Sequence, residues 1–221
     1  MWSEQAWLAG DRAPGREIHR GLPGYYTIFF PSLKNHKVVL CEGSVEAAYC
    51  VWLEWDNDVI AYYPQPYTFT WETERGPMRY TPDFYVLHAQ VANHFTEVKP
   101  DFQQLTTRTR FKLHSFVVQC QAWQIEWRRA DKQQLIPPHV FTNLPYLYFH
   151  GFRVNDLEQA YLLDSLSCYK KSFTLGELLS SAYPPSLRDI YHWPFRGELG
   201  TDLSQPRNRR SLIQQGNCEG G

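Results

Sequence analysis

Two carboxylates and a lysine stand out in the run TPDFYVLHAQVANHFTEVKP. Asp83 follows a proline, Glu97 comes fourteen positions later, and Lys99 lies two positions beyond Glu97. Two facing carboxylates repel each other unless a cation lies between them, and oxygen ligands of this kind suit Mg²⁺ or Mn²⁺. A lysine beside such a metal can orient an attacking water or help to deprotonate it, and it can neutralise charge that builds up on phosphorus. These three side chains together indicate phosphodiester hydrolysis.

The run must form a hairpin for these side chains to meet. Its pieces DFYVLHA and HFTEVKP are rich in β-branched and aromatic residues, which predicts two antiparallel strands joined near residues 90–93. In that register the two acids lie opposite each other, and Tyr85 lies opposite Phe95. Side chains alternate along a strand, so the glutamate and the lysine share one face while Val98 points into the core.

The same pattern also has a purely structural interpretation. A solvent-facing hairpin with a Glu–Lys pair shows the same residues, and such a pair contributes little stability. For an isolated pattern this short, that interpretation is favoured, because chance matches are common. The surrounding sequence must decide between the two.

The flanking sequence predicts a mixed α/β core. The segment SVEAAYCVWLEW repeats apolar residues at helical spacing and begins at Ser44, the expected N-cap. Strands are predicted for DVIAYYPQP, YTFTWET and QIEWRR in addition to the hairpin, and a second helix is predicted after Pro100. The apolar positions expected for that helix are Leu105, Phe111, Phe116 and Val117.

The two ends of the chain differ from this core. Residues 1–40 are rich in Gly, Pro, Trp and Tyr, which predicts an irregular N-terminal arm. Short helical segments punctuated by prolines and a glycine follow the core. We therefore predict a core domain over residues 41–150 and a small helical module over residues 151–221.

Composition and charge narrow the class of protein. With 221 residues, 43% hydrophobic and 16% aromatic, the chain can bury one good core. No apolar run reaches the length of a signal peptide or a membrane span, which predicts a cytoplasmic protein. Five scattered cysteines without a CxxC motif predict reduced, mostly buried thiols. Because the net charge is −1, any DNA contact must be local.

Three pieces between Gly43 and Pro100 carry a family resemblance: SVEAAYCVWLEWDNDVIAYYPQP, RYTPDF and EVKP, in this order and at compatible separations. Together they resemble the TnsA family, the endonuclease subunits of heteromeric cut-and-paste transposases, which are related to the PD-(D/E)xK restriction enzymes. The resemblance implies a restriction-endonuclease-like mixed sheet flanked by helices, with a small C-terminal winged-helix-like module. The short C-terminal region is similar to that of TnsA proteins from CRISPR-associated transposons.

The resemblance also implies a catalytic set, in which Glu46 of the first core helix acts with Asp83, Glu97 and Lys99. Mg²⁺, or Mn²⁺ as a substitute, would be bound by the three acids and the backbone carbonyl of Val98. Some family members carry Gln where this chain has Glu97, although Glu is the more common metal ligand. Without the family, Glu46 is equally explained by the preference for acidic residues in the first turn of a helix.

Other polar residues near this set have more than one interpretation. Gln65 resembles a family element and is a candidate accessory residue, although a Gln between two prolines can simply satisfy backbone groups in a turn. The acids Glu42, Glu54, Asp56 and Asp58 could compete for the role of Glu46. We predict that they are solvated, because residues 54–58 are typical of a helix end followed by a turn.

Several basic and aromatic residues are candidates for phosphate contacts. The predicted DNA-binding residues are Arg79, Tyr80, Arg108, Arg110 and Lys112, and Arg128 and Arg129 could extend this surface. Residues of these types are also ordinary packing residues at strand edges and on charged helix faces. The sequence leaves both interpretations open.

The resemblance implies a Mg²⁺-dependent DNA endonuclease that cuts the non-transferred strand at the 5′ ends of a transposon. Its partners would be the transposon-end DNA, a TnsB-type DDE transposase and a TnsC-type AAA+ ATPase regulator, with no membrane. Two other classes stay open: a stand-alone PD-(D/E)xK restriction or repair nuclease, and a non-catalytic adaptor that binds DNA or protein. The complete acidic set argues against the adaptor, and the lack of an obvious sequence-reading domain argues against the stand-alone restriction enzyme.

Overall fold

A computed structural model of the protein describes residues 2–16, 26–74, 76–131, 138–151, 172–181, 184–196, 199–202 and 207–215. The chain divides into two compact units, residues 1–135 and 136–221. This boundary lies earlier than the residue 150 expected from the sequence. The reason is that the helix Pro138–Gly151 packs against the helix Leu187–Arg196 of the second unit.

The described residues of the first unit form three helices and eight strands. The helices are α1 (Glu4–Ala9), α2 (Ser44–Trp55) and α3 (Thr107–Trp123). The strands are β1 (Ile28–Ser32), β2 (Lys37–Cys41), β3 (Val59–Pro64), β4 (Phe69–Thr73), β5 (Gly76–Tyr80), β6 (Phe84–His88), β7 (His94–Lys99) and β8 (Trp127–Asp131). From α2 onward this is the predicted order of helix, strands, helix and strand.

The central sheet has the strand order β3-β6-β7-β8. Strand β6 runs antiparallel to β3 and β7, whereas β8 runs parallel to β7. One face is covered by α2, whose Tyr49 packs on Phe84 and lies 3.3 Å from the hydroxyl of Thr96. On the other face Tyr85 and Phe95 belong to an aromatic cluster with Phe116 of α3. The predicted restriction-endonuclease-like mixed sheet between helices is confirmed.

The N-terminal region is more regular than the sequence predicts. Helix α1 begins where the Ser3 side chain accepts a hydrogen bond from the backbone of Ala6. Strands β1 and β2 form an antiparallel hairpin that packs against α2. The irregular arm predicted for residues 1–40 is therefore wrong for these stretches, because alternating burial along β1 anchors the hairpin through Phe30 and Ser32.

Two details of the core helices also differ from the expectation. Helix α2 starts at Ser44 as predicted, but its N-cap is Gly43, whose φ of 138° suits glycine. In α3 the buried positions are Leu113, Phe116 and Cys120, whereas Phe111 is 41% exposed. The helix starts at Thr107, after Leu105. Its buried residues are three or four positions apart, which places them on one face of the helix.

The second unit contains short helices beside a small sheet in its described residues. The helices are α4 (Pro138–Gly151), α5 (Leu175–Leu179) and α6 (Leu187–Arg196), and the strands are β9 (Ser172–Thr174), β10 (Leu199–Thr201) and β11 (Leu212–Gln215). The antiparallel strand order is β10-β11-β9. Its core contains Phe173, Leu178, Ile190, Leu199 and Ile213. The winged-helix-like character of this module stays a prediction, and the helix predicted for DLEQAYLLDSLSCYKK lies outside the described residues.

The expectations for cysteines and membrane segments can be checked on the described residues. Cys41, Cys50 and Cys120 are buried free thiols, as predicted, and Cys168 and Cys218 lie outside the described ranges. Among the helices that the structure describes, none has the length and apolar character needed to cross a membrane. A cytoplasmic location stays a prediction.

A buried histidine makes the stability of the first unit depend on pH. His94 is 4% exposed and stacks on His88 at 5.0 Å between ring centroids. Burial, followed by the charge of Arg128, lowers the pKa of His94 to about 3. An imidazole in the unfolded chain binds a proton near pH 6.5. Stability is therefore fully present above that pH and is lost as the pH falls from 6.5 toward 3.

We expect this histidine alone to steepen the pH dependence of the unfolding free energy by about 1.4 kcal/mol per pH unit below pH 6.5. The measurement is urea unfolding of the wild type and of His94→Gln between pH 7 and pH 4. The variant should show the shallower dependence, since glutamine cannot take up the proton. Parallel curves for the two proteins would show that His94 is not the titrating group.

Candidate active site

The β6–β7 hairpin brings the three predicted site residues together. Tyr85 pairs with Phe95, as the sequence predicts, and Asp83 immediately precedes β6 beside the end of β7. The Val98 backbone N–H donates a hydrogen bond of 2.7 Å to Asp83 Oδ2. Lys99 Nζ lies 3.2 Å from the same carboxylate oxygen. Both strands therefore fix the position of the Asp83 carboxylate.

Three oxygens converge on the Lys99 ammonium. Lys99 Nζ lies 2.5 Å from Glu97 Oε1 and 3.1 Å from the carbonyl oxygen of Val98, in addition to its contact with Asp83. Burial acts against the charge on Lys99, but the two carboxylates outweigh it and raise the Lys99 pKa above its ordinary value. Lys99 is therefore an ammonium in this arrangement, a hydrogen-bond donor rather than a base.

Glu97 is a buried carboxylate with two partners. It is 4% exposed, and its second oxygen accepts a hydrogen bond from the hydroxyl of Tyr80. Burial and then the charge of Asp83 raise the pKa of Glu97 to about 7. This carboxyl is costly to ionise even with the Lys99 ammonium 2.5 Å away, so a bound divalent cation would further stabilise its charged form.

Glu46 lies in the first turn of α2, on the Asp83 side of the site. The backbone N–H of Glu42 donates a hydrogen bond of 2.7 Å to Glu46 Oε2 and thereby orients the carboxylate. Burial and then the charge of Asp83 raise the pKa of Glu46 to about 8. The charge of Asp83 thus opposes ionisation of both Glu46 and Glu97, an arrangement that a bound cation would relieve.

The chemistry of the donors tests whether Mg²⁺ fits here. Within the described part of the chain, no three side chains of His, Cys, Asp or Glu form a ready-made metal-binding group. However, two carboxylate oxygens and one carbonyl oxygen already share a single cationic partner, Lys99 Nζ. Oxygen-only donors of this type suit a hard divalent cation. The donor set therefore fits Mg²⁺ or Mn²⁺.

Gln65 directly follows β3, and its backbone lies next to that of Asp83. Its backbone N–H donates to the Asp83 carbonyl at 2.7 Å, and its φ is 46°, a strained value for a residue other than glycine. The side chain is 1% exposed, and neither amide atom has a hydrogen-bond partner among the described residues. The side-chain amide therefore does not satisfy backbone groups of the turn, and Gln65 stays a candidate accessory residue.

The predicted DNA-binding residues do not all face the site. Arg79 is exposed on β5, and Arg110 bonds backbone carbonyls of the loop before α3. Arg108 and Lys112 are one helical turn apart on α3 and therefore share a face. Lys112 lies over the Tyr80 ring at 5.3 Å, and its ammonium interacts with the charge of Glu97. Lys112 thus lies beside the site, and Arg108 shares its face of α3.

Tyr80 corrects one of the predictions. Its side chain is 5% exposed, packs on Phe116 and donates its hydroxyl hydrogen to Glu97. A buried hydroxyl with this partner is not available to a DNA phosphate. Tyr80 is instead a positioning residue for the Glu97 carboxylate, a role that the strand pattern alone gave no reason to expect.

We expect Tyr80→Phe to lower the cleavage rate by about 10- to 100-fold, because the carboxylate loses the donor that orients it. The affinity of the protein for duplex DNA should stay unchanged, because no phosphate contact is removed. The two measurements are single-turnover cleavage and DNA-binding anisotropy. A loss of DNA affinity with unchanged cleavage would restore the role originally predicted for Tyr80.

Of the neighbouring acids, Glu54 is buried and not solvated as predicted, whereas Glu42, Asp56 and Asp58 are partly exposed. Glu54 is 7% exposed and accepts hydrogen bonds from the Ser32 hydroxyl at 2.6 Å and the Tyr62 hydroxyl at 2.7 Å. Asp58 binds the ring of His88 at 2.9 Å. Glu54 therefore links the β1–β2 hairpin to the central sheet. It can be buried because the hydroxyls of Ser32 in β1 and Tyr62 in β3 satisfy its carboxylate.

One arginine near the site was not singled out in the sequence. Arg16 forms a two-pronged ion pair with Glu42, with N–O distances of 2.8 and 2.6 Å. Glu42 is in turn the residue whose N–H orients Glu46. Arg16 and Glu42 are 26 positions apart, and Arg16 lies outside any helix or strand. No local sequence pattern therefore predicts this ion pair.

The comparison with protein families agrees with this geometry. Residues 56–132 match the family described as TnsA-like endonuclease N terminal. The match includes Asp83, Glu97 and Lys99 and the whole central sheet, whereas Glu46 precedes it. No curated protein matches the chain. The similarity to TnsA-like endonucleases thus covers the part of the chain that contains Asp83, Glu97 and Lys99.

Proposed function

We propose that the protein is the Mg²⁺-dependent DNA endonuclease subunit of a heteromeric cut-and-paste transposase. It hydrolyses the non-transferred strand at the 5′ ends of the transposon. One observation carries this proposal. Oxygens of Asp83, Glu97 and the Val98 carbonyl all contact the Lys99 ammonium, within the segment that matches a TnsA-like endonuclease domain.

These same oxygens are the groups that would hold Mg²⁺, and Mn²⁺ would be an acceptable substitute. Glu46 would complete the coordination or hold a second ion through water. When bound, the metal lowers the pKa of a water molecule and neutralises charge on the phosphate. The Val98 N–H keeps the Asp83 carboxylate in place through its 2.7 Å hydrogen bond.

Lys99 supplies the complementary function. As an ammonium it donates hydrogen bonds, so it can orient the attacking water and stabilise the negative charge that develops on the phosphate oxygens. Against the effect of burial, the charges of Asp83 and Glu97 raise its pKa, which favours the ammonium form. We therefore assign Lys99 to positioning and charge stabilisation, and not to general base catalysis.

The charge of the chain is consistent with action inside an assembly. A net charge of −1 gives weak and salt-sensitive DNA affinity, so partner proteins must place the DNA at the site. We propose a TnsB-type transposase, which cuts the 3′ ends, and a TnsC-type ATPase regulator, with the second unit as the part that contacts the regulator. Membership of the short, CRISPR-associated group stays a prediction.

The test is a strand-resolved cleavage assay on donor DNA that carries both transposon ends. It compares the protein alone, with an active TnsB-type transposase, and with a transposase lacking one catalytic carboxylate. We expect 5′ cuts with either transposase, in Mg²⁺ and not in excess EDTA. Cuts by the protein alone would favour the stand-alone nuclease, and no cut in any mixture would favour the non-catalytic adaptor.

A further inference from the structure

The segment before Arg16 is fixed against the active site through its backbone. The Gly15 N–H donates to the carbonyl of Gln65 at 2.7 Å, and the Thr68 hydroxyl donates to the carbonyl of Gly15 at 2.7 Å. A Cβ atom at position 15 would lie 2.7 Å from backbone atoms of Tyr67 and Thr68. Only glycine permits so close an approach, and the hydrogen bonds of Gly15 fix the backbone from which the next residue, Arg16, extends.

The side chain of Arg16 extends this attachment to the other side of the site. Its guanidinium is held in a bidentate ion pair by Glu42, whose N–H binds Glu46. The backbone of Gln65, which accepts from Gly15, donates to the carbonyl of Asp83. Two chains of hydrogen bonds thus connect Gly15 to the backbone of Asp83 and Arg16 to the carboxylate of Glu46.

Arg16 is both accessible and close to the acids. Its side chain is 32% exposed, whereas Glu42 is 12% exposed, so the guanidinium is the outer member of the pair. The bond to Glu42 raises the Arg16 pKa, with smaller contributions from Asp83 and Glu46. The charge of Arg16 is also felt by Lys112 on α3. Arg16 of the N-terminal segment and Lys112 of α3 therefore both lie near the active-site acids.

We propose that Arg16 is a phosphate-binding residue of this active site and contacts a backbone phosphate of the DNA next to the scissile bond. A polyanion can approach a cluster of carboxylates only where cations compensate the repulsion. Arginine suits this task because its planar fork binds a phosphate with two parallel hydrogen bonds. Glu42 occupies the fork while the DNA is absent, and the phosphate displaces it. This inference rests on the proposed function, since it takes DNA as the substrate.

A purely structural ion pair between Arg16 and Glu42 makes different predictions. If the pair only held the N-terminal segment in place, removing either partner would have the same effect on stability and on DNA affinity. If Arg16 binds phosphate, the two partners behave in opposite ways, because only the arginine contacts the DNA. Glu42→Gln keeps the shape of the side chain and removes the anion that competes with phosphate.

The test is fluorescence anisotropy of a labelled duplex oligonucleotide with the full chain at several NaCl concentrations from about 20 mM, without Mg²⁺. We expect Arg16→Ala to reduce the slope of log affinity against log salt by about 1. Glu42→Gln should bind as tightly as the wild type or more tightly. Arg12→Ala is the matched control, because it removes the same charge from the same segment, where Arg12 donates to the Tyr63 hydroxyl at 3.0 Å. Its slope should change less.

Thermal unfolding of each variant shows whether a change in binding reflects folding. If Arg16→Ala does not fold, Arg16→Lys replaces it, and we expect weaker binding from the lost fork at unchanged charge. The proposal is overturned if the Arg16 variant keeps the wild-type slope, if Glu42→Gln or Arg12→Ala loses as much affinity, or if the wild type itself does not bind duplex DNA at about 20 mM salt.

The two proposals fail in distinguishable ways. If the wild type cuts transposon ends and Arg16→Ala has normal DNA binding and normal cleavage, the phosphate contact is wrong and the endonuclease proposal stands. If Arg16 controls the salt slope but no mixture with a transposase yields a cut, the phosphate contact stands and the endonuclease proposal is wrong.

Discussion

Replacing Asp83 with asparagine is expected to reduce cleavage at least about a hundredfold. The Asp83 carboxylate accepts the Val98 N–H and the Lys99 ammonium, and it faces Glu97 across the hairpin. Asparagine keeps the size of the side chain and one oxygen acceptor, but it removes the charge that a divalent cation needs. The loss should therefore fall on metal binding and cleavage, and much less on folding.

Two readouts separate these effects. Thermal unfolding with and without Mg²⁺ should show a metal-dependent increase in Tm for the wild type and none for Asp83→Asn. The matched control is Asp58→Asn, which makes the same chemical change at the opposite end of β3, where Asp58 binds His88. This control should cleave and respond to Mg²⁺ like the wild type. An Asp83 variant with a normal Mg²⁺ response would contradict the assigned metal site.

Lys99→Ala is expected to lower cleavage by about 10²- to 10³-fold while metal binding is kept. In the structure the Lys99 ammonium binds the same oxygens of Asp83 and Glu97 that would hold the metal. Its removal leaves two facing carboxylates without a cation, so the metal-free variant should be less stable than the wild type. Mg²⁺ should then increase the Tm of the variant by at least as much as it does for the wild type.

Lys99→Met is the companion variant, because it keeps the apolar stem of the side chain and removes only the ammonium. If packing alone mattered, Lys99→Met would cleave normally. We expect it to be as inactive as Lys99→Ala, with closer to wild-type stability in Mg²⁺. A loss of the Mg²⁺ response in both variants, with normal cleavage at saturating metal, would assign Lys99 to metal binding and overturn its role in charge stabilisation.

The hairpin could be predicted because its information is local. Alternating residues and a polar turn fix the register, so the Tyr85–Phe95 pair and the meeting of Asp83 with Glu97 and Lys99 follow from the sequence. The mixed α/β class follows in the same way from the order of periodic segments.

The surroundings of the site could not be predicted, because they depend on contacts between distant parts of the chain. The sequence left Tyr80 as either a phosphate contact or a packing residue; in the structure it packs on Phe116 of α3 and donates its hydroxyl hydrogen to Glu97. Glu54 was expected in solvent, but Ser32 and Tyr62 supply its hydrogen bonds. A burial pattern within one strand or helix contains no information about a partner on another element.

The most direct test of the central claim is to map the cut at a transposon end with each strand labelled in turn, in Mg²⁺ and with the TnsB-type transposase present. We expect the wild type to cut the non-transferred strand at the 5′ end, while Asp83→Asn leaves that strand intact and the transposase still cuts the 3′ end. A 5′ cut by Asp83→Asn equal to that of the wild type would contradict the claim that Asp83, Glu97 and Lys99 form the active site.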